Sequence, residues 1–154
     1  MRVVIQRVAY ASVSVDNKTV GSCKKGFLVL LGVGKGDDEK DAELLASKIA
    51  KMRIFCDENG KMNLSLSQVG GEILVISNFT LYANCVHGNR PDYFASEEPV
   101  RAKELYEYFT KRLAEISECK TEAGIFGADM KVELLNDGPV TIIIDSSELR
   151  KDKK

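Results

Sequence analysis

Apolar and polar residues alternate from the start of the chain. "VVIQRV" and "ASVSV" repeat with a period of two, the mark of a strand with one buried face. Asp16-Asn17-Lys18 interrupts the alternation ahead of "TVGSC" and predicts a hairpin. "GFLVLLGV", residues 26–33, is apolar without interruption, as expected of a strand covered on both faces. The period then lengthens. Ala42, Leu45, Ala46, Ile49 and Met52 recur at helical spacing behind "GKGDDEKD", a loop that offers several N-caps. This helix ends towards "RIFCDENG", where Asn59-Gly60 predicts a turn. "EILVISNFTLYA", 72–83, reads as the next strand. A loop of about fifteen residues, "NCVHGNRPDYFASEE", follows and is long enough to suggest a functional role. Pro99 opens a second helix with the stripe Ala102, Leu105, Tyr106, Phe109, Leu113 and Ile116. "CKTEAG", "ADMKVELL" and "VTIIID" are strand-like, the last two separated by the turn material "NDGP".

Strand–loop–helix thus occurs twice, at 27–55 and 73–116, and "LVLLGV" weakly echoes "LVISNF". The pattern predicts one mixed α/β domain, richer in strand than helix, with the helices packed on one side of the sheets. The domain is expected over residues 1–146. The charged end "SELRKDKK", 147–154, is expected to be a flexible tail.

Composition narrows the chemistry. Of 154 residues, 44% are apolar and 29% charged, the balance of a globular protein with a core. No run approaches the ~18 apolar residues of a membrane span. The start lacks the secretory pattern of a basic end, an apolar centre and a small-residue cleavage site. The N-x-[ST] matches at Asn17, Asn63 and Asn78 are therefore expected to carry no sugar, and the protein is expected in the cytoplasm. The four cysteines form no C-x-x-C pair, and His87 is the single histidine. They read as free thiols, with no metal site expected. A net charge of −1 argues against gripping many phosphates, yet leaves room for a protein that touches only one end of a nucleic acid.

Most catalytic templates fail. There is no G-x-G-x-x-G after a strand and no phosphate-cradling loop, and any Ser-His-Asp or Cys-His triad would have to recruit His87 from a loop. Two polar stretches remain. In an extended strand, Ser77, Phe79 and Leu81 would share one face, with Asn78 and Thr80 on the other. The hydroxyls there either bond locally to backbone or, with free N–H groups, bind a carbonyl oxygen. "NDGPVT", 136–141, either turns the chain or projects backbone carbonyls into a site.

Together "MRVVIQRVAYASVSV", "LVLLGVGKGD", "RIFCDENGKMNLS", "ILVISNFTLYA", "GNRPDYF" and "GIFGADMKVELLNDGPVT" resemble the D-aminoacyl-tRNA deacylase family, in the family's order and up to about residue 146. The resemblance implies a compact α/β deacylase fold working as a homodimer, without cofactor or metal. It implies hydrolysis of the ester joining a D-amino acid, or mischarged glycine, to the 3′-terminal adenosine of tRNA. Ser77, Phe79 and Thr80 match the catalytic strand. Gly138 and Pro139 match a cis pair that enters the partner's site as a chiral filter, and Arg7 matches the arginine that braces it. Phe126 and Met130 match the adenosine pocket. The chain departs from the pattern at Asn78, where the family has glutamine. Lys24, Lys25, Arg90 and the basic tail read first as solvated surface charge and otherwise as weak guidance for the RNA. Two alternatives remain: an editing domain related to that of threonyl-tRNA synthetases, which removes an L-amino acid, and a non-catalytic module that binds tRNA ends.

Overall fold

The computed structural model describes residues 1–151. In chain order the elements are β1 (Arg2–Val15), β2 (Lys18–Cys23), β3 (Gly26–Gly32), α1 (Glu39–Lys51), β4 (Phe55–Cys56), β5 (Met62–Leu64), β6 (Glu72–Ser77), a 3₁₀ turn (Phe79–Tyr82), α2 (Pro99–Ser117), β7 (Thr121–Ala123), β8 (Lys131–Asp145) and α3 (Ser146–Lys151). One sheet runs β2-β1-β3-β6-β7, with β8 along β1, and β4 and β5 form a separate hairpin. β3 and β6 are parallel and in register from Gly26↔Glu72 to Leu31↔Ser77.

The period-two alternation sorts the central strands onto two faces. Phe27, Val29, Leu31, Ile73 and Val75 meet α1 and α2 in one core. Leu28, Leu74 and Ile76 join Val8, Ala11 and Val13 in a second cluster on the opposite face, to which no helix contributes. The helices therefore lie on one side, as the pattern predicts. The start of α1 is fixed by a capping box: Asp38 Oδ1 accepts from Lys40 N and Asp41 N, and Asp41 Oδ2 accepts from Asp38 N. Pro99 opens α2, and Glu118 closes it in a left-handed conformation, φ 55°.

β1 changes face along its length. Val3 and Ile5 point to the helix side, whereas Val8, Ala11 and Val13 point away. The change occurs where pairing with β8 slips, between Gln6 and Val8 and again between Val8 and Tyr10. Arg7 sits at the slip.

Several expectations are corrected. The strand expected over 72–83 ends at Ser77, because Asn78 leaves extended geometry and the chain coils into the 3₁₀ turn. The alternation of Ser77, Phe79 and Leu81 on one face is consequently not realised. "ADMKVELL" and "VTIIID" belong to one long strand, β8, which "NDGP" bulges rather than reverses. Met52 caps α1 instead of lying within it. Of the expected tail 147–154, residues 147–151 lie in α3, which starts at Ser146, while 152–154 lie outside the described residues.

α3 is held at its base and along its side. Ser146 N donates to Met1 O at 2.8 Å. Arg150 donates to Asp41 through Nε and Nη2, both at 2.7 Å, and to Asp38 at 2.5 Å. Burial pushes the Asp41 carboxyl up, but hydrogen bonds from Arg150, the Asp38 amide and Ser146, aided by the α-ammonium, hold it below the usual carboxylate range. A carboxyl with a lowered folded pKa stabilises above its unfolded pKa of about 4 and loses that contribution as pH falls through the folded value. Arg150→Ala is expected to cost about 1–3 kcal/mol at neutral pH in urea unfolding, because it strips a partner from a buried carboxylate. The gap between variant and parent should close as Asp41 protonates below about pH 4. A frayed tail would leave the two chains equally stable at every pH.

Candidate active site

Where β6 gives way to the 3₁₀ turn, two backbone amides are left ahead of the turn's first hydrogen bond. That bond runs from Leu81 N to Asn78 O at 3.3 Å, so Phe79 N and Thr80 N occupy the positions a helix start leaves unpaired. Asn78 N is anchored to Leu31 O at 2.8 Å, which fixes the turn to the end of β3. Gly32 and Gly34 allow the close fit: a Cβ on Gly34 would lie 2.8 Å from the Tyr82 ring, and one on Gly32 would lie 3.1 Å from Leu81 Cβ. The first two glycines of "LGVGKGD" thus seat the turn.

Beside the turn opens a cavity of about 510 Å³. Leu31 and Val33 from the end of β3 line it, with Ser77, Asn78 and Phe79 from the end of β6. Phe79, 58% exposed, packs edge-on against Tyr93, with ring centroids 5.0 Å apart and planes at 73°. Phe126 and Met130 also line the cavity, and the Phe126 ring lies 5.8 Å from that of Tyr106. Met130 is pinned by Gly124, where a Cβ would meet its sulfur at 2.5 Å. Burial pushes the Tyr106 phenol up to about 12, with Glu107 adding to the rise, so it stays neutral and donates to Val75 O at 3.1 Å. Aromatic walls over a small polar mouth suit a base that stacks and a sugar that hydrogen-bonds.

Thr80 is not among the lining residues. Its Oγ1 donates to Asn78 Oδ1 at 2.5 Å, a side-chain bond that spans Phe79. His87 lies on the exposed loop, outside the cavity. Among the described residues no three His, Cys, Asp or Glu side chains are grouped to hold a metal.

Sequence reasoning marked the long loop by its length but named none of the residues it contributes. The loop brings Tyr93, Ser96 and Glu97 to the cavity. Ser96 Oγ donates to Phe79 O at 3.1 Å, while the Glu97 carboxylate accepts from Glu98 N at 2.8 Å and Gly36 N at 3.4 Å. The loop's length was the only signal; its residue types carried none.

The other expected residues lie elsewhere. Gln6 pairs with Thr141 and Val8 with Asn136, so residues 137–140 bulge out opposite Arg7. The Asn136 side chain closes the bulge, donating to Val140 O at 3.0 Å and accepting from Val140 N at 3.1 Å. Arg7 Nε donates to Asp137 O at 2.9 Å, and Nη1 donates to Ile54 O at 2.7 Å. The Gly138–Pro139 peptide is cis, and both residues are exposed. Within one chain, then, Ser77, Phe79, Phe126 and Met130 come together, and Gly138, Pro139 and Arg7 form a separate turn outside the cavity.

This geometry has close counterparts. The sequence pattern of a family described as "D-Tyr-tRNA(Tyr) deacylase" matches residues 4–145. The D-aminoacyl-tRNA deacylase of Thermosipho melanesiensis is 54% identical over 149 residues, covering 97% of this chain and 99% of its own. That of Lactobacillus acidophilus is 57% identical over 145 residues, 94% of this chain and 99% of its own. Among solved structures, one described as "c-Myc DNA Unwinding Element Binding Protein" superposes with a TM-score of 0.88 at 37% identity, over 94% of this chain and 98% of that one. A probable eukaryotic D-amino acid tRNA deacylase shares the fold with a TM-score of 0.78 at 15% identity, over 93% and 97% of the two chains. With its pattern matched over nearly its whole length, this chain belongs to the D-Tyr-tRNA(Tyr) deacylase family.

Proposed function

We propose that the protein hydrolyses the ester between a D-amino acid, or glycine mischarged on tRNA, and the 3′-terminal adenosine of tRNA, proofreading chirality in the cytoplasm. The observation that carries this reading is the start of the 3₁₀ turn, where Phe79 lines an aromatic-walled cavity and the Phe79 and Thr80 amides precede the turn's first hydrogen bond. The terminal adenosine occupies the cavity, stacked on Phe126 and Met130, which brings the ester carbonyl to the turn. Water attacks the carbonyl carbon, and the oxyanion takes hydrogen bonds from the two amides. Collapse of the intermediate expels the ribose 3′-oxygen, which takes up the proton released by the water, with the neighbouring 2′-hydroxyl relaying it. The products are a free amino acid and tRNA with its 3′-hydroxyl restored.

The Gly138–Pro139 turn works in trans. It is exposed, closed by Asn136 and braced by Arg7, and it lies outside its own chain's cavity, which supports a role in the site of a second copy. There its carbonyls leave no room for an L side chain. A matched pair of D- and L-tyrosyl-tRNA is expected to differ by about 10³ or more in kcat/KM, the range a site reaches by steric and polar rejection. Efficient cleavage of the L ester would favour the synthetase editing reading, and tRNA binding without hydrolysis the non-catalytic module.

The trans arrangement has its own test. Gly138→Val drives a side chain into Val140 N and disrupts the turn, whereas Phe126→Arg blocks the cavity. Each variant alone should be inactive. Co-expressed, they should recover about a quarter of parental activity, since half the dimers are mixed and each has one intact site. No recovery would mean that turn and cavity act within one chain.

The Asn78–Thr80 bond supports a positioning role for Thr80, clamping the turn so that the Phe79 amide is presented. Asn78→Ala and Thr80→Val should each lower kcat about tenfold with KM unchanged, the double variant should fall no further, and Thr80→Ser should restore the parent rate. If Thr80→Val alone abolishes turnover while Asn78→Ala is harmless, the hydroxyl is the nucleophile.

A further inference from the structure

A second depression of about 620 Å³ lies next to the candidate cavity and shares the Tyr106 and Phe126 wall with it. It runs between α2 and the segment that begins with β7. Lys103, Thr110 and Lys111 line it from the helix, and Thr121, Ile125 and Phe126 from the other side. Its features differ from those of the first cavity. It is open, its polar lining comprises two ammonium groups, the Glu107 carboxylate and the hydroxyls of Tyr106, Thr110 and Thr121, and its ridge residue Ile125 is 48% exposed.

We infer that this groove binds the unpaired nucleotides that precede the terminal adenosine. The inference rests on the functional reading above. A polymer whose last nucleotide fills the first cavity must leave it over a rim, and the Ile125–Phe126 ridge leads directly into the groove. Proteins hold single strands by combining apolar or aromatic platforms for the bases with cations along the backbone. Ile125 supplies the first; Lys103 and Lys111 supply the second. Eight residues apart on one helix, the two lysines stand about 12 Å apart along its axis and would meet different phosphates. Both are exposed, at 57% and 74%. Their carboxylate neighbours hold them loosely, Glu107 at 3.6 Å from Lys103 and Glu115 at 3.9 Å from Lys111. Surface pairs of this kind contribute little, so a phosphate can displace them. The Thr110 and Thr121 hydroxyls already donate to Tyr106 O at 2.8 Å and Cys119 O at 3.0 Å, which leaves their lone pairs to accept from ribose hydroxyls. Two contacts of this type agree with a chain whose net charge is only −1.

The test uses the full-length enzyme and two substrates, D-tyrosyl-tRNA and D-tyrosyl-adenosine, the latter ending before the groove. Lys103→Glu combined with Lys111→Glu should raise KM for the tRNA about tenfold at low salt, with kcat unchanged. It should also flatten the slope of log affinity against log salt by about 1.4, or 0.7 per lost phosphate contact. The adenosine ester, which does not reach the groove, should be cleaved as by the parent. A control of equal charge change, Lys40→Glu with Lys61→Glu, lies outside both depressions and should leave the slope as in the parent. Equal KM for parent and groove variant on tRNA overturns the inference, as does an equal rise in KM on the adenosine ester or with the control. If the parent chain cleaves neither substrate, the functional reading itself fails and the groove with it.

Discussion

The fold turns on a buried arginine. A guanidinium removed from water must find acceptors or cost several kcal/mol, and it cannot shed its charge. Arg7 finds two main-chain acceptors, Ile54 O beyond the end of α1 and Asp137 O at the head of the β8 bulge. Its position is where β1 exchanges one buried face for the other. A uniform strand would keep its odd residues on one side and could not serve both cores. The slip in pairing with β8 makes the exchange, and the slip needs a group that fills it and satisfies the carbonyls it frees. One side chain thus joins the helix-side core, the long strand pair and the Gly138–Pro139 turn. The turn's shape follows from that constraint as much as from its own residues.

The sequence carried the layered architecture because that depends on periodicity. The stripes through Ala42 and Phe109 and the alternation along residues 2–15 and 26–32 describe which atoms leave water, and burial obeys them. It misled where periodicity and local geometry diverge. Beyond Ser77 the apolar spacing still resembles a strand, but the chain coils so that Leu81 and Tyr82 pack onto Gly32 and Gly34, where a Cβ would collide with them. "NDGP" has the composition of a reversal, and its asparagine does close a local loop. The chain nevertheless continues in the same strand, because Val3–Gln6 and Val13 hold pairings on either side of it. The charged end was read as solvated, since nothing local shows that Asp41 lies buried at the start of α1 and needs a counter-charge from residue 150. Long-range electrostatic need leaves no periodic trace.

The site was legible in part, for the same reason. Ser77, Phe79, Phe126 and Met130 could be named from resemblance, and the fold gathers them around one cavity. Tyr93, Ser96 and Glu97 could not, because their relevance comes from a loop conformation fixed by contacts to the segment that follows β3: Glu97 N to Val33 O and Lys35 N to Ala95 O. Nor could spacing reveal that the cavity and the Gly138–Pro139 turn are separate features of one chain.

Asn78 departs from the family's pattern at the residue that holds the turn. The chemistry proposed here rests on two backbone amides, which carry no titratable group and no side-chain identity. What the side chains must do is hold the turn that presents them. Asn78 reaches Thr80 Oγ1 across a single residue, and its short arm leaves few rotamers to freeze. Glutamine has the same donors and acceptor, but its extra methylene would carry the carbonyl past Thr80 unless it folded back. The shorter amide therefore exchanges reach into the cavity for a tighter hold on the turn. In an amide-built site such as the one proposed, that exchange is expected to be mild, because the groups that would face the carbonyl belong to the main chain in either case.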